Sequence, residues 1–101
     1  MNKCDATNII IDGLLGEESI PVKLRTERFF DNEKYSKVKE AVLFLVDEYK
    51  DKSMVPKDLA LCFVDISNHF YVSENVFSED LICKIEDAGF ELSELANKLF
   101  T

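Results

Sequence analysis

Carboxylates are the residues whose number and spacing could do chemistry in this sequence, and they concentrate in SEDLICKIEDAGFELSE, residues 78–94. Side chains seven positions apart on a helix lie on nearly the same line, about 10 Å apart along the axis. Glu79 and Glu86 make one such row, and Asp80 and Asp87 make a second. A carboxylate pair can do acid–base work when one member is buried. These acids fall on a predicted solvent face, so we expect them to bind a partner rather than to catalyse.

Other catalytic or ligand-binding constellations fail one by one. His69 is the only histidine, and no G-x-S-x-G turn presents a nucleophile to it. A structural zinc site needs four ligands, whereas Cys4, Cys62 and Cys83 are far apart in the chain. Three separated glycines cannot form a phosphate-binding loop. We therefore predict a protein that is not an enzyme, without catalytic residues, metal or cofactor, in which Cys62 and Cys83 lie in or near the core.

The net charge of −8 is distributed unevenly. Residues 1–57 carry eleven acids and ten bases, whereas residues 58–101 carry nine acids and two bases. Nucleic acids and anionic membranes both bind basic surfaces, so an acidic chain disfavours them. It attracts basic proteins instead. The sequence predicts a basic protein partner, with no direct contact to nucleic acid or membrane.

Length and composition predict one globular domain over residues 1–101. An apolar fraction of 47% with eight phenylalanines is enough for a core. The first residues, MNKCDATNIIIDG, lack the apolar stretch and small-residue cleavage site of a signal peptide. No apolar run is long enough to span a membrane. We expect a cytoplasmic protein.

The first 26 residues predict a β-hairpin. NIIIDGLL is rich in isoleucine, and SIPVKLRT alternates, with Ile20, Val22 and Leu24 on one face. Gly16 lies in the connection GEES, which suits a short hairpin loop. A hairpin is marginal alone and must pack on other elements. The predicted fold class is therefore α+β, an N-terminal β-hairpin packed on three to four helices.

The sequence from residue 31 onward predicts helices. Residues 31–52 have a clear apolar stripe, with Asp31 or Asn32 as the N-cap. Residues 56–70 fit a helix, but the pattern leaves open whether 59–72 is helix or strand. Residues 78–88 and 91–100 predict two further helices. Ser78 would cap the first of these and Gly89 would end it.

Aromatic residues are expected mainly in the core. Tyr71 and Phe77 are the exceptions, because the segment around them has no clean period. Together with the acids they form the predicted partner-binding set: Glu74, Glu79, Asp80, Glu86, Asp87, Glu91, Glu94, Tyr71 and Phe77.

In size, acidity and its one-sided set of carboxylates, the chain resembles bacterial toxin-immunity proteins, of the kind paired with colicins and contact-dependent inhibition toxins. No sequence motif supports the resemblance. Those proteins share no single fold, so no residue role is transferred from them to this chain. It implies an inhibitor that covers the active site of a basic, nuclease-type toxin. An acidic inhibitor would meet the lysines and arginines that such a nuclease presents to phosphates.

A second function class stays open beside this one. The alternative is a small regulatory or adaptor module, in one version a homodimer, that binds through an apolar patch around HFYVSENVF, residues 69–77. Binding through such a patch would be nearly insensitive to salt, whereas binding through the carboxylates would weaken as salt rises. The sequence leaves the oligomeric state open.

Overall fold

Apolar residues recur at intervals of three and four along most of the chain, and these segments are helical in the computed structural model, which describes residues 1–72 and 76–101. The described residues form six helices and no strand: α1 (Lys3–Leu15), α2 (Ile20–Thr26), α3 (Asn32–Tyr49), α4 (Lys57–Leu61), α5 (Ile66–His69) and α6 (Glu79–Leu99). The described part is therefore all-α. The predicted α+β class, with its N-terminal β-hairpin, is wrong.

The first predicted strand is helix α1. The Asn2 side chain accepts a hydrogen bond from the Asp5 backbone N–H at 2.8 Å, which caps the helix. Ala6, Ile10 and Leu14 follow at intervals of four and are all buried. The strand preference of isoleucine depends strongly on its surroundings, so capping and a buried stripe decide this segment.

The second predicted strand is helix α2. Ile20 and Leu24, which fit an alternating pattern, are also four apart, so this short segment satisfies both periods. Ser19 decides between them, because its hydroxyl accepts from the Val22 N–H at 3.4 Å as an N-cap. Pro21 lies in the first turn, where a missing N–H costs nothing. Both Ile20 and Leu24 are buried.

Helix α3 is the central element and packs against both α1 and α6. The helix predicted over residues 31–52 is confirmed, with Asp31 as the N-cap accepting from the Lys34 N–H at 3.0 Å. The helix ends at Tyr49, three residues earlier than predicted. Its buried side chains are Val38, Ala41, Val42 and Leu45.

The single helix predicted over residues 56–70 is instead two short helices, and no residue of 59–72, the range that the sequence left open, lies in a strand. Asp65 separates α4 from α5 with a left-handed backbone, φ 61°. The predicted apolar stripe is nevertheless buried: Leu59, Cys62, Phe63, Ile66 and Phe70.

Helix α6 runs without interruption from Glu79 to Leu99. Ser78 is its N-cap, as predicted, but the predicted stop at Gly89 is wrong. A Cβ at residue 89 would lie 2.7 Å from the Cβ of Phe70, so this glycine lets α5 approach α6 closely. Glycine is present here for packing between helices, and the helix continues through it.

Candidate protein-binding surface

The outer face of α6 is set by the residues on its inner face. Ile82, Ile85 and Leu92 are buried against the rest of the core. The acids between them must therefore point outward, and five of the predicted set are exposed: Glu79, Asp80, Glu86, Asp87 and Glu94. The spacing argument made from the sequence thus placed these carboxylates on one solvent face.

The continuous helix changes the electrostatics of these acids. Asp87 was expected near a helix C-terminus and Glu94 near an N-terminus, but both lie in the interior of α6, beyond the reach of the helix dipole. None of the five exposed acids forms an ion pair within 4.0 Å with any residue that the structure describes. Lys84, four residues after Asp80, does not pair with it. Within the described chain, these five acids are therefore not neutralised by direct ion pairs.

Glu91 is different from the other acids of α6. Its Oε1 accepts a hydrogen bond from the Tyr35 hydroxyl, and its Oε2 lies 3.1 Å from the Lys39 Nζ. The Tyr35 hydrogen bond is the main reason that the pKa of Glu91 is lowered, and the Lys39 contact lowers it further against the opposing effect of burial. Burial and the same bond raise the pKa of Tyr35. Glu91 joins α6 to α3, so we leave it out of the proposed contact surface.

The two predicted aromatic contacts have different surroundings. Tyr71 is 77% exposed, directly after α5. Phe77 is half-buried and packs against the hydrophobic core. The predicted contact at Glu74 lies outside the described residues.

Phe90 is an exposed aromatic residue of the outer face that the sequence did not predict. It is 67% exposed, lies one helical turn from both Glu86 and Glu94, and is three residues from Asp87. The sequence predicted that one helix ends before Gly89 and that the next begins at residue 91, so residue 90 was not assigned to a helix face. The available signal was the apolar spacing of Ile85, Leu92 and Leu99, which keeps one phase across the glycine.

A cleft of about 290 Å³ lies between α5 and α6 beside this aromatic residue. Phe70 and Gly89 line its interior, Tyr71 and Phe90 contribute exposed rings, and Glu86 supplies a carboxylate. Such a cleft suits a lysine or arginine, whose apolar stem packs on aromatic rings while its charge meets a carboxylate. We call Tyr71, Phe90 and the five exposed acids of α6 the acidic–aromatic face.

The cysteines do not form a ligand set. Cys62 is buried, as predicted, and burial raises the pKa of its thiol to about 11. Cys83 is exposed, so its predicted place near the core is wrong. Within residues 1–72 and 76–101 there is no group of three or more His, Cys, Asp or Glu side chains that could hold a metal.

The helices of the described chain include none that is long and apolar enough to cross a membrane.

Comparison of the chain with protein-family models, curated proteins and solved structures finds no match.

Proposed function

We propose that this chain is a non-enzymatic binding protein that docks on a basic protein through its acidic–aromatic face. The observation that carries the proposal is the exposed Phe90, surrounded on α6 by acids that have no described cation within ion-pair distance. Exposed aromatic side chains in the middle of a contact surface often supply most of its binding energy. The surrounding carboxylates would accelerate the encounter with a cationic surface and orient it.

The partner that fits best is a nuclease-type toxin, which makes the chain an immunity protein acting in the cytoplasm. A nuclease must present lysine and arginine to phosphates, and carboxylates spaced about 10 Å apart along α6 would compete for those side chains. The cleft beside Glu86 would receive one basic side chain of the partner. The support is chemical complementarity together with the resemblance in size and acidity.

Paired charge reversals test the docking face. We expect Glu86→Lys/Asp87→Lys to abolish capture of the partner from lysate of the source cells, because both acids lie beside Phe90. Glu40→Lys/Glu48→Lys is the matched control, since it makes the same change in net charge at two exposed positions of α3. The captured protein is then purified, its binding is measured by calorimetry, and its nuclease activity is assayed with and without this chain.

Phe90→Ala tests the contribution of the aromatic ring to binding, which is separate from the contribution of charge. We expect it to weaken binding roughly tenfold to a hundredfold or more, as truncation of a central aromatic contact does. Phe29→Ala is the control, because Phe29 is also an exposed phenylalanine. Equal loss from both substitutions, or equal loss from the two charge reversals, would refute the docking face. A partner without nuclease activity would refute only the immunity assignment.

The second candidate is an adaptor or homodimer that uses an apolar surface other than the patch predicted around residues 69–77. Leu61 and Val64, which lie off the buried stripe, are more than half exposed, and Phe100 is 40% exposed. Val64 and Phe100 line a shallow depression of about 580 Å³ between the α4–α5 segment and the end of α6. A dimer through this surface would appear in sedimentation equilibrium, would persist at high salt, and would be disrupted by Val64→Asp.

A further inference from the structure

The chain contains two arginines and one histidine, and all three line the same cavity. Arg25 lies on α2, Arg28 follows the end of that helix, and His69 is the last residue of α5. The cavity has a volume of about 240 Å³ and is lined by residues of these two helices together with residues 71–72 and 76–77. Both arginines of the protein therefore share one concave site with its single histidine, which is far away from them in the sequence.

The described lining of this cavity carries two arginines, whereas the chain as a whole is acidic. None of its described residues is an acid, although the chain has 20 acids and 12 bases. Neither arginine lies within 4.0 Å of a described carboxylate. The Nδ1 atom of His69 is buried and has no hydrogen-bond partner among the described residues. Leu24 and Phe77 add apolar walls.

The backbone of Arg28 has a conformation that is unusual for a residue other than glycine. Its φ of 54° is left-handed, and the Phe29 N–H closes the turn by donating to the Lys23 carbonyl at 3.2 Å. Glycine is the usual residue at such a position after a helix, because other side chains are strained there. An arginine at this point carries a conformational cost and places a guanidinium group at the cavity.

We propose that this cavity binds a small organic anion, a carboxylate or phosphate group attached to a compact apolar body. Arginine binds both groups through two parallel hydrogen bonds, and two arginines beside one cavity would clamp the anionic end. The imidazole of His69 would supply a further hydrogen bond, while Leu24 and Phe77 would contact the apolar body. A concave site in which charged and polar groups converge beside apolar walls is typical of a small-molecule site rather than of a protein-docking surface.

Nuclear magnetic resonance titration of the full chain tests the proposal with three probes of similar shape. Benzoate and phenyl phosphate carry the two anionic groups, and benzyl alcohol is the neutral comparison. We expect at least one anion to give saturable shifts of the His69 ring proton and of the amides of Arg25 and Arg28, at an ionic strength of about 0.15 M. The relative affinities identify the preferred head group. Absence of saturable shifts with both anions, or equal binding of benzyl alcohol, would overturn the proposal.

Substitution of the two arginines is a second test of the proposed anion site. Arg25→Gln/Arg28→Gln should weaken the anion roughly tenfold or more, since it removes both charge-assisted contacts. Lys52→Gln/Lys57→Gln removes the same charge at exposed positions outside the cavity lining and should leave binding unchanged. Both arginines are exposed, and an unchanged thermal midpoint would verify that the variant is folded. Equal affinity of the two double variants would also overturn the proposal, independently of the acidic–aromatic face.

Discussion

Phe90 and Glu91 are neighbours in the sequence with opposite environments. A helix rotates by about 100° per residue, so one residue turns from the outer face of α6 to the side that meets α3. Phe90 is consequently exposed, whereas Glu91 accepts from Tyr35 and contacts Lys39. At the residue scale, the acids of α6 are therefore of two kinds. Five face solvent and suit a partner, and one links two helices of the same molecule.

The link at Glu91 predicts a dependence of stability on pH. Its pKa is lowered below the ordinary value of 4.5 in the folded protein, so folding favours the ionised carboxylate. The resulting stabilisation is present above pH 4.5 and is lost as the pH falls through the lowered folded value. Because the side chain is 42% exposed, we expect Glu91→Gln to cost no more than about 1 kcal/mol at neutral pH.

Urea unfolding of the two proteins as a function of pH measures this effect. The difference in unfolding free energy between the parent chain and Glu91→Gln should shrink below pH 4.5. Glu94→Gln is the control on the same helix, because Glu94 is exposed and forms no described ion pair. A pH-independent difference for Glu91→Gln would contradict the assignment.

At the scale of elements, close approach between helices explains the glycine within α6. Residue 89 lies where Phe70 of the α5 segment meets the helix, and the backbone geometry leaves no room for a side chain. Gly13 of α1 similarly faces Val38 of α3, whose branched side chain has little rotational freedom in a helix. Two helix pairs thus use glycine to bring their axes together.

Gly89→Ala tests whether packing or helix propensity dominates at this position. Propensity alone predicts a gain of about 1 kcal/mol, because alanine replaces glycine inside a helix. We expect instead a loss of about 1–3 kcal/mol, since the new methyl group would overlap the Cβ of Phe70. Thermal unfolding measures the change. Ser93→Ala on the same helix should be neutral or slightly stabilising, and a more stable Gly89→Ala protein would refute the packing argument.

At the scale of the whole molecule, the charge is separated between surfaces. Acids without described ion pairs cover the outer face of α6, while both arginines lie beside the cavity between α2 and α5. The partly buried cations of the core helices are already paired: Lys23 with Asp31, Lys34 with Asp12 and Lys39 with Glu91. An acidic protein with this distribution can attract a basic protein at one face and a small anion at another.

This charge distribution predicts how association responds to salt. The rate of association with the basic partner should fall steeply as ionic strength rises from about 0.01 to 0.15 M, over which the screening length shortens from about 30 to 8 Å. Dissociation should change little, because contacts at Phe90 are short-ranged. Stopped-flow measurement separates the two rates. An association rate independent of salt would favour the apolar adaptor surface.

Prediction from the sequence succeeded where the determining interactions are local. The periodic stripe of α3, the caps Asp31 and Ser78, and the exposed acidic rows all depend on residues within one or two helical turns. It failed at residues 8–26, because short segments rich in isoleucine and valine fit both helical and strand periods. The caps at Asn2 and Ser19 were local signals for helix that the prediction did not use, and tertiary packing buries the apolar residues of both helices.

The sequence by itself determined the net charge of −8, the concentration of acids in the last 44 residues, and the amphipathic spacing that puts those acids on one face. Only the tertiary structure decided that the described part contains helices and no strand, that α6 continues through Gly89, and that Phe90 is exposed. It also decided that Glu91 pairs with Tyr35, 56 residues away, and that Arg25, Arg28 and His69 share one cavity. The physical reason is the range of the interaction. Capping and periodicity act within a few residues, whereas close packing and long-range hydrogen bonds depend on segments that meet only after the chain has folded.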